Sequence, residues 1–315
     1  MGKYIPRYVQ AYEDGSLEKK IEEAYKILEK CTLCPRECKV NRLKGEKGIC
    51  KTGELPVVSS FFAHFGEEDP LVGQRGSGTI FISYCNLLCM YCQNYEISHL
   101  GEGREVTLDI LAQIMLSLQE QGCHNINIVT PTHVVPQILG ALKFAVERGL
   151  SIPLVYNTSG YDKVETLKIL DGIVDIYMPD FKYWDSEVAK RYSKAPDYPE
   201  VARKALKEMH RQVGDLRINE RGIAEEGLLV RHLVLPHGLA NTKEIMEFIA
   251  NEISPNTYVN VMAQYRPCGE AHKDPYLNRS ITMEEYEKAL KAAIQAGIRR
   301  LDEAQKRFLL RLRLV

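Results

Sequence analysis

Thr79-Ile-Phe-Ile-Ser-Tyr84 runs directly into Cys85-Asn-Leu-Leu-Cys89-Met-Tyr-Cys92, a short apolar run followed by three thiols within eight residues. Three cysteines on a loop leaving a strand can wrap one iron-sulfur cluster while supplying three of its four ligands, so one iron stays open. An open metal position marks a site that binds a substrate or cofactor, whereas a closed shell only holds the fold. A tetrahedral structural zinc suits three close cysteines without a fourth nearby poorly. The stretch therefore reads as the metal loop of an enzyme, at the carboxyl end of a strand.

Outward from this loop, apolar strand-like runs alternate with helical patterns. A helix is expected from about Leu108, where Leu111, Ile114, Met115 and Leu118 share one face, and another through Val135, Ile138, Leu139, Leu142 and Val146. Asn125 to Thr130, Ile152 to Tyr156, Ile173 to Met178, Leu228 to Leu235 and Thr257 to Met262 are further strand candidates. Helical stretches near 164–170, 185–211 and 241–251 separate the later ones. Repeated β-α units of this length imply a parallel sheet with right-handed crossovers. Periodicity leaves open whether such a sheet closes fully, closes partly or stays open. In either geometry ligands collect at the carboxyl ends of the strands. That rule nominates Thr130-Pro-Thr-His133, Asn157-Thr-Ser-Gly160, Asp180-Phe-Lys182 and Gln264-Tyr-Arg-Pro267, together with Arg231 inside the fifth strand.

The C-x3-C-x2-C spacing, with Tyr84 and Tyr91 immediately before the first and third cysteines, resembles the signature of the radical S-adenosylmethionine (SAM) superfamily. The resemblance implies an α/β fold, a partial (β/α)6 TIM-type barrel, with a 4Fe-4S cluster on Cys85, Cys89 and Cys92. It also implies SAM bound at the open iron, cleaved to methionine and a 5′-deoxyadenosyl radical that abstracts a hydrogen atom. Within the superfamily the chain resembles the pyruvate formate-lyase activating enzyme group, in an uncharacterised activating-enzyme-like branch. Asn157-Thr-Ser-Gly160 is similar to that group's Asp-Thr-Asn-Gly segment and Asp180-x-Lys182 to its Asp-x-Lys segment. Carried over, Thr158, Asp180, Lys182 and Arg231 are the expected SAM-holding residues; placement at the rim and beside the third cysteine adds Tyr91, Thr130, Asn157 and Gln264 as cofactor-binding candidates, and His133 and Arg266 as substrate-facing ones. Asn157 stands where the group has Asp, which removes a negative charge from a cation site beside SAM. Thr130-Pro-Thr-His133 stands where many members carry a Gly-Gly-Glu-like segment. The resemblance further implies an electron donor such as a flavodoxin or ferredoxin, and either a glycyl-radical protein or a small molecule as substrate.

A second cysteine group precedes the core: Cys31-Thr-Leu-Cys34-Pro-Arg-Glu-Cys38, then Cys50. Four thiolates spaced C-x2-C-x3-C-x11-C complete a closed shell. Zinc is the expected ion, because the ligands sit on a short turn-rich segment; an auxiliary 4Fe-4S cluster is the alternative. Before it, a helix from Ser16, read as its N-cap, carries Leu17, Ile21, Ala24, Tyr25 and Leu28 along one side. After it, Phe61 to Pro70 reads as a linker packed by its phenylalanines. A similar four-cysteine prefix and His-Phe-Gly-Glu-Glu linker occur in the activating-enzyme-like branch. The expected organisation is a small cysteine-rich helical and metal-knuckle module over 1–75, the barrel over 76–267 and a helical extension over 268–315.

Composition fits a cytoplasmic enzyme. With 41 Lys plus Arg against 42 Asp plus Glu in 315 residues, no global charge recruits nucleic acid or an anionic membrane. No apolar run reaches the length of a membrane span, and Met1-Gly-Lys-Tyr-Ile-Pro6 lacks the apolar core of a secretion signal. Seven of the nine cysteines fall in the two clusters, which reads as metal ligation in a reducing compartment rather than a disulfide framework. The other two, Cys123 and Cys268, read as small buried or loop thiols.

Overall fold

A computed structural model of the chain describes residues 4–311. Met1 to Lys3 of the secretion-signal reading, and the last four residues of the expected 268–315 extension, lie outside the described residues. Helices α1 (Arg7–Glu13) and α2 (Ser16–Ile27) open the chain. Leu17 and Ala24 of α2 are buried, as its apolar stripe requires. The start of α2 differs from the expectation: Gly15, at φ +77°, is the N-cap and Ser16 is the first helical residue. Asp14 does the capping work, its carboxylate accepting the Ser16 N–H at 2.8 Å, where a negative charge also meets the positive end of the helix.

The first residues of the expected linker, 61–64, instead belong to a strand, and its end opens a short helix. β1 (Val57–His64) runs antiparallel to β2 (Ser77–Ile82), with the short helix α3 (Asp69–Val72) between them. Phe61, Phe62 and Phe65 are exposed rather than packed, at 43%, 43% and 63%. After the cysteine loop come β3 (Arg104–Glu105), α4 (Leu108–Glu120), β4 (Ile126–Val129), α5 (Val135–Glu147), β5 (Leu154–Thr158), α6 (Val164–Ile169) and β6 (Ile176–Pro179). Next are α7 (Ser186–Ser193), α8 (Tyr198–Val213), β7 (Arg217–Ile218), β8 (Ala224–Leu233), α9 (Thr242–Phe248) and β9 (Tyr258–Met262). The chain then forms α10 (Met283–Gln295), β10 (Arg300–Leu301) and α11 (Glu303–Arg311).

The strands form one sheet in the order β10-β9-β8-β6-β5-β4-β2-β1-β3, with β7 paired to β8. From β2 to β10 along this path every pairing is parallel, as helical crossovers demand. The six expected strands are β2, β4, β5, β6, β8 and β9. The C-terminal segment is not purely helical, because β10 adds to the sheet beside Tyr258 and Val259.

Alternation along the strands separates two faces. Ile80, Ile126, Ile128, Leu154, Tyr156, Tyr177, Leu228, Val230, Val259 and Val261 join the helices in the large core. On the opposite face Val155, Ile176, Met178, Leu229 and Tyr258 form a smaller core with Leu71 from α3. Toward the carboxyl ends that inner face turns polar: Asn157 lies beside Met178, and Arg231 lies between Asp180 and Asn260. An apolar floor with a polar mouth is what places the site.

Candidate cluster and cofactor site

Cys85, Cys89 and Cys92 line one cavity with Thr130, Ser159 and Lys182. Those residues come from the loops after β2, β4, β5 and β6, all at carboxyl ends. The cysteine loop is shaped by two non-glycine residues in the left-handed region, Tyr84 at φ +66° and Leu88 at φ +61°. Each cysteine sulfur accepts a hydrogen bond: Cys85 from the Leu87 N–H at 3.3 Å, Cys89 from the Ser193 hydroxyl at 3.0 Å and Cys92 from the Ser98 hydroxyl at 3.1 Å. Burial pushes the Cys85 thiol up to about 12 and the Cys92 thiol upward as well. These sulfurs become thiolates when a metal centre supplies the compensating positive charge. Three donors around one cavity that Thr130, Ser159 and Lys182 also line fit an iron-sulfur centre that leaves one iron for a charged ligand.

Beside the cavity stands a buried charge network. The Arg231 guanidinium donates to Asp180 at 2.8 Å, to Asn157 Oδ1 at 2.7 Å and to Glu67 at 3.3 Å. Lys182 donates to the other Asp180 oxygen at 2.6 Å. Burial opposes the charge of Lys182, but Asp180 and Cys89 outweigh it and hold its pKa above the ordinary lysine range. Asp180 is likewise buried, yet Arg231 and Lys182 hold its carboxyl below the usual range. Lys182 is thus a fixed ammonium with donor capacity directed at the cavity, suited to a carboxylate.

A family model of the radical SAM superfamily matches residues 79–218, the span holding the cysteine loop, Asn157 and Lys182. The chain is 35% identical over 287 residues to the uncharacterised protein MJ0674 of Methanocaldococcus jannaschii, covering 88% of this chain and 78% of that protein. This chain belongs to the radical SAM superfamily. Membership implies a 4Fe-4S cluster and SAM as its cofactors. Among solved structures, HydG, a maturase of the [FeFe]-hydrogenase, superposes with a TM-score of 0.48 at 16% identity over 70% of this chain and 49% of that one. No described helix is long and apolar enough to cross a membrane.

Within this radical SAM core the expected site residues divide. Cys85, Cys89, Cys92, Thr130 and Lys182 meet at the cavity, and Asn157, Asp180 and Arg231 form the network that holds Lys182. Tyr91 does not line the cavity: its ring is buried edge-on to Tyr183 and Tyr265, at centroid distances of 6.2 and 5.8 Å. The Thr158 hydroxyl is turned inward and donates to Asp162 at 2.5 Å, so its neighbour Ser159 provides the exposed hydroxyl instead. Gln264 and Arg266 are exposed and lie outside the cavity wall, Gln264 touching the cysteine loop through its carbonyl and the Gln93 side chain.

His133 is the largest departure. Its ring is buried, with Nε2 3.0 Å from the Ser83 carbonyl, and burial with the nearby Arg42 guanidinium pulls its pKa down to about 3. It lines a different cavity, the one ringed by Cys31, Cys34, Cys38 and Cys50, rather than the mouth. There Arg42 is buried too, clamping the carbonyls of Gly53 and His133. Burial pushes the Cys34 thiol up to about 12 and raises that of Cys50. Sequence reasoning passed over Ser98, Asp162 and Ser193 as site residues. Asp162 accepts from Thr132, Tyr156 and Thr158, and fixes the loops after β4 and β5 against each other.

Proposed function

We propose that this radical SAM enzyme acts in the manner of the activating-enzyme group, abstracting a hydrogen atom from a glycine of a partner protein. The observation that carries the reading is Lys182, held by Asp180, Arg231 and Asn157 and facing the same cavity as the three cysteines. When bound, the cluster and SAM supply one-electron cleavage of SAM and a 5′-deoxyadenosyl radical. The chain's own residues do the rest. Cys85, Cys89 and Cys92 hold the cluster, Lys182 meets the SAM carboxylate, and the Thr130 and Ser159 hydroxyls accept from its ammonium group.

Arg231 occupies the place between Asn157 and Asp180, so a guanidinium neutralises this pocket without a bound monovalent cation. The exposed Gln264 and Arg266 support an accessible mouth, as a protein loop requires. A flavodoxin or ferredoxin in the cytoplasm would supply the electron. Arg266 orients the substrate's backbone or carboxylate rather than SAM. The test is deuterium transfer into 5′-deoxyadenosine from labelled candidates, comparing the glycine loop of a glycyl-radical protein with small metabolites. Transfer from the loop supports activation, and transfer from a metabolite favours radical modification of a small molecule instead. Arg266→Ala should keep SAM cleavage uncoupled from substrate while productive turnover drops about 10²-fold, the scale of a misplaced substrate. Weakened SAM binding in that variant would remove the role given to Arg266.

A further inference from the structure

The helical turn Glu96–Leu100, which follows the cysteine loop, serves two environments. Asn94, Ile97 and Ser98 line the cluster cavity. Tyr95 and His99 stand outside that wall and stack on each other, ring centroids 4.2 Å apart and planes 13° from parallel. Gly269 packs against the tyrosine, where a Cβ would come within 2.5 Å of Tyr95 Cδ2. Two short contacts connect the ring pair to the cysteines. His99 Nδ1 lies 2.7 Å from the Ser98 hydroxyl, which lies 3.1 Å from Cys92 Sγ. Tyr95, His99 and Cys92 are all partly exposed. One ring, one hydroxyl and one sulfur thus lead from the surface to a cluster ligand.

Cations surround this point. Lys51 follows Cys50, Lys194 closes α7, and the charge of each bears on His99. Burial, together with those two charges, pulls the His99 pKa below the ordinary histidine value, so the ring is neutral at neutral pH. Both lysines are exposed, and among the described residues neither has an ion pair. Glu270, the acid that also acts on His99, is taken up by Lys273 at 2.8 Å. Arg36 adds a third cation without an acid, its guanidinium donating to the carbonyls of Asn86, Leu87, Ser193 and Lys194. The backbone makes both lysines costly. Lys51 and Lys194 each have φ +51°, in the left-handed region that favours glycine. Strain kept at two places for the sake of an exposed, unpaired charge points to a use for that charge.

We propose that Tyr95, His99, Lys51 and Lys194 form the docking face for an acidic one-electron carrier of the flavodoxin kind, whose electron reaches the barrel cluster through His99, Ser98 and Cys92. Charge complementarity selects the partner: unpaired cations around neutral rings steer an acidic surface into place and leave the rings free for close approach. A small, transient contact suffices for electron transfer. One electron moves in the step. The carrier's flavin hydroquinone anion becomes the neutral semiquinone, the cluster passes from its 2+ to its 1+ state, and no proton is transferred. This route rests on the radical SAM reading for its acceptor and on nothing said of the substrate.

The test mixes the full chain, its cluster reconstituted without oxygen, with reduced flavodoxin of net negative charge. Freeze-quenched samples report the EPR signal of the reduced cluster. A Lys51→Glu, Lys194→Glu variant should be reduced at least about tenfold more slowly at low salt, with the gap closing as salt rises. Lys51→Arg with Lys194→Arg should keep the wild-type rate, and flavodoxin binding, titrated by flavin fluorescence, should weaken only in the glutamate variant. Photoreduced deazaflavin, a small reductant that needs no docking, should reduce all three proteins equally. Equal flavodoxin rates in wild type and glutamate variant overturn the proposal; so does a loss shared with deazaflavin, which marks damage to the cluster site. His99→Leu should keep flavodoxin binding and slow the electron, and an unchanged rate overturns the route. Equal flavodoxin rates with reduced deuterium transfer from a glycine loop would make the patch a substrate seat instead. Because the cluster signal needs neither SAM cleavage nor substrate, failure of glycine activation would leave this docking face standing.

Discussion

Ser193, 104 residues from Cys89 along the chain, gives that sulfur its hydrogen bond at 3.0 Å. Hydrogen bonds to cluster sulfurs spread their negative charge and raise the reduction potential. Ser193→Ala should therefore shift the barrel cluster's potential downward while keeping its iron, read by an EPR-monitored redox titration. An unchanged potential would mean that the contact does not tune the cluster. At this scale the sequence revealed what is local. The cysteines declare themselves by spacing, and Asp180 and Lys182 by following a strand. Ser193 and Asp162 reach the site only through tertiary packing, so no spacing announces them. Tyr91 misleads for a related reason: adjacency to Cys92 does not say which way a ring turns, and Tyr183 and Tyr265 offer it an apolar seat.

The turn after β4 stores strain where the site needs it. Thr130 has φ +65°, a costly conformation for a β-branched residue, and its N–H donates to the Asn157 carbonyl at 2.9 Å. Releasing left-handed strain is worth about 1–2 kcal/mol, against a glycine entropy cost of about 0.5–1 kcal/mol. Thr130→Gly should thus stabilise the fold slightly, by up to about 1 kcal/mol, while weakening SAM binding through loss of the hydroxyl. Paired thermal melts and SAM titrations check both halves; a clear loss of stability would show that the strain reading is wrong. The six parallel strands were legible because their residues are buried on both faces and form apolar runs. β1 was not, because its outer half leaves two phenylalanines exposed beside an ordinary linker composition. β10 pairs only two residues with β9, too few for any period to show.

Across the molecule, a chain of buried polar and charged groups runs through the site. Asn260 holds Glu68 at 2.8 Å, Glu67 meets Arg231, Arg231 meets Asp180, and Asp180 meets Lys182. Strands and loops far apart in sequence supply these groups, so their pairing into one chain was invisible before the fold. Burial opposes charge on both acids, yet His64 with Arg231 holds Glu67, and Arg231 with Lys182 holds Asp180, below ordinary carboxylate values. A depressed carboxylate stabilises the fold above its unfolded pKa, near 4.5 and 3.8 here, and that stabilisation disappears as pH falls through the folded values. Wild-type stability should consequently hold from neutral pH to about 4.5 and decline below it. Arg231→Met reverses the sign at these groups. It leaves Glu67 buried with only His64, 3.5 Å away, and Asp180 with only Lys182. Removing one partner from a buried pair costs about 3–5 kcal/mol, because the other charge stays desolvated. Protonating the stranded acids relieves that cost, so the gap between variant and wild type should narrow toward pH 4. Urea unfolding at pH 7 and pH 4 measures it directly. A gap of the same size at both, or one below about 1 kcal/mol at pH 7, would show that Arg231 is not the keystone of this chain of groups.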